Sequence, residues 1–370
     1  MRYPISNAIL RCAIFLAMLA PLTCLAKEYE VNDNGLPLLE SLPNAQAVIY
    51  LNFNGGKWYG KETRPLGGNE IFSKRSQETI FRAWQDISTH FAMFDVNVTT
   101  IKPDFKKKPT CQVLIADGMR GAQGKVNWFG RGGFACANPS GSAKGRTTSI
   151  THEIGHTFGI NHHNWFNDDG TIRAAYEPAD EHGRSAFMGR DAGGSVFSMW
   201  KIGYLGKQKQ DDLAIISKKI ITTVNKFTDD AYKGDGFRPD EHGDTFHKAT
   251  QLDAPKPAAD KSLEIKTRGI IERHKDIDMF TFDWPGGALS VLAIAPKNNN
   301  AKPPYASSLG MNLKLYDSKG RLLTEDLSKG LADIDAAISL EKLAKGTYFI
   351  AIESGGEYED LGVYDLTISQ

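Results

Sequence analysis

The apolar rhythm of the chain changes twice along its length. Residues 47–53 (AVIYLNF) are almost continuously apolar and predict a buried strand closed by the Gly55-Gly56 turn. From Ser76 the period lengthens: Ile80, Trp84, Ile87 and Phe91 fall on one helical stripe, with Ser76 as the expected N-cap. VNVTTI at 96–101 and QVLIADG at 112–118 return to strand texture, and 121–146 is dense in Gly, Asn and Ser and reads as loop. A second helix is predicted from about Thr148 or Ser149. A third, near 210–220, is marked by Leu213, Ile216 and Ile220. Interleaved helices and strands of this kind give an α+β first half.

Beyond about Asn225 the pattern is different. Residues 228–260 are polar and punctuated by Gly234, Gly236, Pro239, Gly243, Pro255 and Pro257, the texture of a linker and entry loop. Short strands are predicted at 263–271, 276–284, 288–295, 311–317, 347–353 and 362–368, separated by turn signals such as Asp317-Ser318-Lys319-Gly320. Regular short strands without a long helix predict a β-sandwich. The expected organisation is a signal peptide at 1–26, a short segment at 27–45, an α+β domain at 46–227, a linker at 228–245 and a β-sandwich domain at 246–370.

Composition narrows the function classes. The 370 residues are 41% hydrophobic and 24% charged, which excludes a largely disordered chain. Lys+Arg 44 against Asp+Glu 44 gives no basic excess, so a nucleic-acid partner is not expected. Arg2 and Arg11 precede an apolar run from Cys12 to Leu25 that is too short for a comfortable membrane span. The expected outcome is cleavage after Ala26, a secreted product (extracellular or periplasmic) and no membrane partner once the signal is removed. Cys12 and Cys24 leave with it. Cys111 and Cys136 remain, and in an oxidising compartment they are expected to pair, constraining the unfolded chain by roughly 3–3.5 kcal/mol.

The chemistry is concentrated in residues 152–163, HEIGHTFGINHH. His152 and His156 are four apart, so on a helix both imidazoles project from one face, as two nitrogen ligands of a tetrahedral zinc must. Glu153 is placed to reach a water at the metal without binding the metal. Gly159 can take a positive φ and turn the chain so that His162 returns as a third ligand. Three protein ligands leave a position open, which marks a catalytic site rather than a structural one. Gly159 and His162 make the pattern far more specific than a bare HExxH.

This segment resembles the extended motif HExxHxxGxxH of the metzincin zinc endopeptidases. The resemblance covers roughly residues 45–225. It implies an α+β metzincin-like protease domain with a mixed sheet and an active-site helix, with Zn2+ held by His152, His156 and His162 and with Glu153 as general base. It also implies a Met-turn beneath the metal: Met188 in SAFMGR is preferred, because AFMG resembles the turn of reprolysin-like bacterial members, and Met199 in VFSMWK is the alternative. Arg190 and Lys201 stand where astacins and serralysins carry a Tyr, and His163 stands where reprolysin-like enzymes carry an Asp. Tyr176 and His182 are candidate oxyanion helpers.

The second half resembles the bacterial pre-peptidase C-terminal domain through DEHGDTFHKATQL, the Asp276–Phe282 strand and two G-x-Y strands at Gly346 and Gly362. Asp276 and Asp278 are candidate Ca2+ ligands there, although a solvated strand edge is the expected reading. The function implied is a secreted zinc endopeptidase acting on protein or peptide substrates. The alternative is a catalytically inactive binding or adhesion protein on the same scaffold.

Overall fold

The computed structural model describes residues 29–370 apart from 59, 118–120, 132, 138–142, 191–196, 258–262, 297–306 and 329–333; the side chains of 133–137 and 143–146 are also left undescribed. The expected signal peptide therefore lies outside the described residues.

In the first half, Ala47–Asn52 is flanked by Val96–Thr99 and Thr110–Ile115, both parallel to it. Gly133–Ala137 continues the sheet in parallel, and Ala122–Gly124 closes that edge antiparallel. Every residue of Ala47–Asn52 is buried, as the continuous apolar run requires of a central parallel strand. Helix α1 (Lys74–His90) buries Ile80 and Ile87 completely, and the Trp84 indole N–H donates to the Val98 carbonyl at 2.8 Å. Its N-cap is Ser73 rather than the expected Ser76: the Ser73 hydroxyl accepts from the Ser76 backbone N–H. Helix α2 (Ala143–Phe158) carries the histidine motif, and α3 (Asp212–Val224) buries Leu213, Ile216 and Ile220.

The second half is two five-stranded sheets. One runs Thr250–Gln251, Ile277–Trp284, Gly346–Ser354, Met311–Asp317, Leu322–Asp326; the other runs Lys256–Pro257, Leu263–Ile271, Gly362–Ser369, Gly287–Ile294, Ala336–Leu343. Alternation is plain in Gly287–Ile294, where Leu289, Val291 and Ala293 are buried and the residues between them are not. Ala336–Leu343 (AAISLEKL) has helical composition, yet it pairs antiparallel with Gly287–Ile294: side-chain burial of Ala336, Ile338 and Leu343 outweighs local propensity.

Two expectations are corrected here. The fold class is not α+β: among the described residues strands make up 39% and helices 15%, in three α-helices, so the described chain is mostly β and the metzincin-like α+β domain is not supported. The helical period is confined to three segments. Within the stretch read as loop lie the strands Ala122–Gly124 and Gly133–Ala137, short strands such as Trp165–Phe166, Ile172–Ala174 and Ile202–Leu205 follow α2, and the second half adds two five-stranded sheets. The Cys111–Cys136 disulfide is also not formed. Cys111 is a free, buried thiol. In the parallel pairing Cys111 lies opposite Gly133, three residues along the strand from Cys136, a separation of roughly 10 Å where a disulfide needs Cα atoms within about 7 Å.

The stretch 228–245 is tied down rather than free. Phe237 bridges to Phe94, the Arg238 guanidinium donates to the Ala92 and Ser41 carbonyls, and the Tyr232 hydroxyl donates to Asp95. Arg273 of the second half makes a two-bond ion pair with Asp235. Further along the junction the Ile202 backbone N–H donates to Glu359. A small cavity there is lined by His90, Phe187 and Trp200 on one side and Ser307, Ser308 and Glu359 on the other.

Candidate metal centres

Helix α2 places His152 and His156 one turn apart, and their rings stand edge to face with centroids 4.8 Å apart. The helix ends at Gly159, whose φ of 112° only glycine adopts without strain. Its last carbonyls are occupied: His156 O accepts from Asn127 N and Gly159 N, and Thr157 O accepts from Phe129 N. The reversal at Gly159 brings the His162 ring to 4.8 Å from His156 and 5.1 Å from His152. One ligating nitrogen from each of the three lies within 4.8 Å of the others.

The fit of a zinc ion can be judged from the donors themselves. The His152 Nδ1 faces the Phe187 carbonyl at 2.6 Å and the His156 Nδ1 faces the Ile160 carbonyl at 2.8 Å. Those carbonyls fix each tautomer with its Nε2 unprotonated, the arrangement found behind zinc-binding histidines; the His156 Nε2 lies 3.0 Å from the His162 Nε2. Burial, with repulsion from the neighbouring imidazoles, lowers His152 and His162 to about 4, and burial also lowers His156. All three are therefore neutral nitrogen donors at neutral pH. The residues fit the ion.

Glu153, next to His152 on helix α2, is 9% exposed. Burial pushes its carboxyl up to about 7, partly offset by the Gly124 backbone N–H. Gly124, in the antiparallel edge strand, lies so close to the Glu153 backbone that a Cβ there would overlap it. Beneath the helix, Met188 is fully buried, and its Sδ would stand 2.7 Å from a Cβ at Gly155. Met199 is buried in the strand Phe197–Met199, where its carbonyl accepts from the Phe187 N–H. Tyr176 stacks on His162 at 4.2 Å. His182 lies in the Asp180–Gly183 turn, paired with Glu181, and makes no ring contact with the three histidines among the described residues.

Sequence reasoning missed the surroundings of His163. Its ring is fully buried, with Nε2 3.0 Å from the equally buried Asp212 and Nδ1 3.7 Å from Glu177, which also holds Lys201. Burial alone would depress this imidazole, but Asp212 and Glu177 outweigh it and push it up to about 9. Gly203 makes room for the ring, since a Cβ there would overlap it. His163 next to a third ligand was visible in the sequence; its acidic partners, 14 and 49 residues away, were not.

A second cluster lies at the entry to the sandwich. Asp240, Asp276 and Asp278 bring carboxyl oxygens within 4.8 Å of one another, and a Glu241 oxygen, a His242 ring nitrogen and an Asp278 oxygen lie equally close. The solvated strand edge expected for Asp276 and Asp278 is corrected: they are 8% and 0% exposed. Antiparallel pairing with Gly346–Ser354 and the cover of Tyr364, whose hydroxyl donates to Asp278, enclose the strand. Glu272 is fully buried and neither of its carboxyl oxygens has a hydrogen-bond partner, nor does Asp278 Oδ1. Burial, then the facing acids Glu241 and Asp276, drives Glu272 far above the carboxylate range, and burial lifts Asp278 to about 9.

Residues 292–360 match the family model of a secretion system C-terminal sorting domain. No curated protein matches the chain. Among solved structures, the pre-peptidase C-terminal domain of a Bacillus anthracis collagenase is 13% identical, over 35% of this chain and 97% of that one, with a TM-score of 0.22. The Aeromonas hydrophila periplasmic inhibitor of g-type lysozyme, PliG, is 12% identical over 33% and 99%, also at 0.22. A fucose binding module of Streptococcus pneumoniae is 15% identical over 29% and 71%, at 0.18. TM-scores this low assign no fold. The sorting-domain match identifies an exported protein, secreted or held at the cell surface, and it lies wholly in the second half.

Proposed function

We propose that the exported chain is a zinc-dependent endopeptidase. The observation that carries this reading is the convergence of His152, His156 and His162 within 4.8 Å, two of them with Nδ1 already held by a carbonyl, with Glu153 next to His152 on the same helix. A zinc ion held there supplies Lewis acidity that polarises a peptide carbonyl and makes water nucleophilic at neutral pH. Glu153 accepts a proton from the attacking water and returns it to the leaving amine, and a carboxyl raised to about 7 suits both transfers. Tyr176, against His162, is the side chain best placed to meet the developing oxyanion.

Glu153→Gln keeps shape and packing but cannot accept the proton. Zinc per chain and the thermal midpoint should stay level while peptide turnover falls on the order of 10²–10⁴-fold. Full activity in the variant would sink the mechanism. A zinc-loaded wild type that cleaves nothing in a broad peptide library would favour the binding-protein alternative.

For the acidic cluster the proposed ion is Ca2+. Several oxygen donors with no nitrogen-rich set suit a hard cation, and the partnerless oxygens of Glu272 and Asp278 are the supporting observation.

A further inference from the structure

The three imidazoles of the histidine centre are not supported alike. His152 and His156 are each held through Nδ1 by a backbone carbonyl, but His162 has no such acceptor among the described residues. It also lies past the end of helix α2, in irregular backbone. Something else must fix its ring.

Its two neighbours in the chain are clamped. The Gln210 side chain grips both backbone groups of Asn161: Oε1 accepts from the Asn161 N–H at 2.9 Å and Nε2 donates to the Asn161 carbonyl at 2.8 Å. On the other side, the His163 N–H donates to the Met188 carbonyl at 2.9 Å, and the His163 carbonyl accepts from the Glu177 N–H at 2.7 Å. The His163 ring is anchored on Asp212 at 3.0 Å. Gln210 and Asp212 are themselves joined, Nε2 to Oδ1 at 3.4 Å, at the start of helix α3. Both are buried, at 5% and 0% exposure.

Stability does not explain this arrangement well. A buried His–Asp pair is weak evidence for stabilisation, because desolvation of the two groups consumes most of their attraction and an apolar pair would pack as well. What such a pair supplies is a fixed geometry, and here it is fixed one residue from a ligand.

We propose that Gln210 and Asp212 are positioning residues for the third imidazole. They hold the backbone on either side of His162 without touching the ion. The inference rests on the reading of the three histidines as a metal site.

The test uses the full-length apo protein, with Zn2+ affinity from chelator competition and the visible spectrum of the Co2+ form. Asp212→Asn and Gln210→Ala should each weaken Zn2+ binding roughly 10–100-fold and alter the Co2+ bands. Gln210→Glu, which keeps the acceptor for Asn161 N–H and loses the donor, should fall between Gln210→Ala and wild type. Ile216→Val, buried in the same helix, should lower the thermal midpoint and leave affinity and spectrum unchanged. Wild-type affinity and an unchanged Co2+ spectrum in both Asp212→Asn and Gln210→Ala would overturn the positioning role alone. Loss of affinity in Ile216→Val equal to theirs would overturn it too, by reducing the effect to stability. A wild type that binds neither ion would overturn the metal site itself.

Discussion

The histidine cluster and the acidic cluster reach the neutral state by opposite proton changes: burial removes protons from the imidazoles and keeps them on the carboxyls. At the first, burial keeps the imidazoles neutral and carbonyls already occupy the Nδ1 of His152 and of His156, so the three rings are brought together at little electrostatic cost. At the second, Glu272, Asp276 and Asp278 crowd together, both Glu272 carboxyl oxygens and Asp278 Oδ1 without a hydrogen-bond partner, and burial holds the three acids up toward the protonated form. On the proposed reading, an ion at the first centre meets neutral nitrogens, while an ion at the second must displace protons from buried carboxyls. An ion should therefore change the chemistry of the first and the stability of the second.

The largest effect should come from breaking the first centre. His156→Ala removes a ligand whose Nδ1 is already fixed, and zinc should fall from one per chain to a trace after dialysis, by metal analysis. Stoichiometric zinc in that variant would remove the site from consideration. For the second centre, millimolar Ca2+ should raise the thermal midpoint of the wild type by several degrees. Asp278→Asn should abolish that response, because the amide cannot ionise to meet the ion. A calcium response that survives the substitution would place the ion elsewhere.

Asp360 sharpens the comparison as a buried acid outside either cluster. It is 2% exposed, with Oδ1 unpartnered, and burial pushes it up to about 7. A carboxyl whose folded value lies above its unfolded value of about 3.9 stabilises fully below that lower value. The contribution is lost as pH rises through about 7. Denaturation at pH 5 and pH 8 should show Asp360→Asn gaining on the wild type by on the order of 2–4 kcal/mol across that window, with or without Ca2+. Equal gains at both pH values would mean the acid is not protonated in the fold. A smaller effect concerns the junction: Arg238→Ala removes donors to the Ala92 and Ser41 carbonyls and should make the 228–245 stretch cut faster by protease, where the wild type resists. Rapid cleavage of the wild type there would show the stretch is loose.

What could be read from the sequence was what is local. HEIGHTFGINHH declares its geometry within twelve residues because the helical period and one glycine settle where the rings go. The outer support could not be read that way. Phe187, Gln210 and Asp212 reach the motif from 35 to 50 residues away, and their own surroundings carry no signal of it. The acidic centre joins 240–242 to 272–278 across three intervening strands, so alternation in Asp276–Phe282 suggested a half-wet strand that the fold encloses. The expected disulfide failed for the same reason: cysteine counting carries no information on register. Fold class failed because helical stripes are conspicuous in a sequence, while short strands at 122–124 or 336–343 are not.

The Cys111 thiol has a consequence for how the protein can be made. Buried and lifted to about 12, it holds almost no thiolate at neutral pH and is a poor partner for exchange. Folding therefore requires no oxidant, and the chain can reach its native structure in the reducing interior of a producing cell as readily as outside it. Dithiothreitol should leave the thermal midpoint where it was.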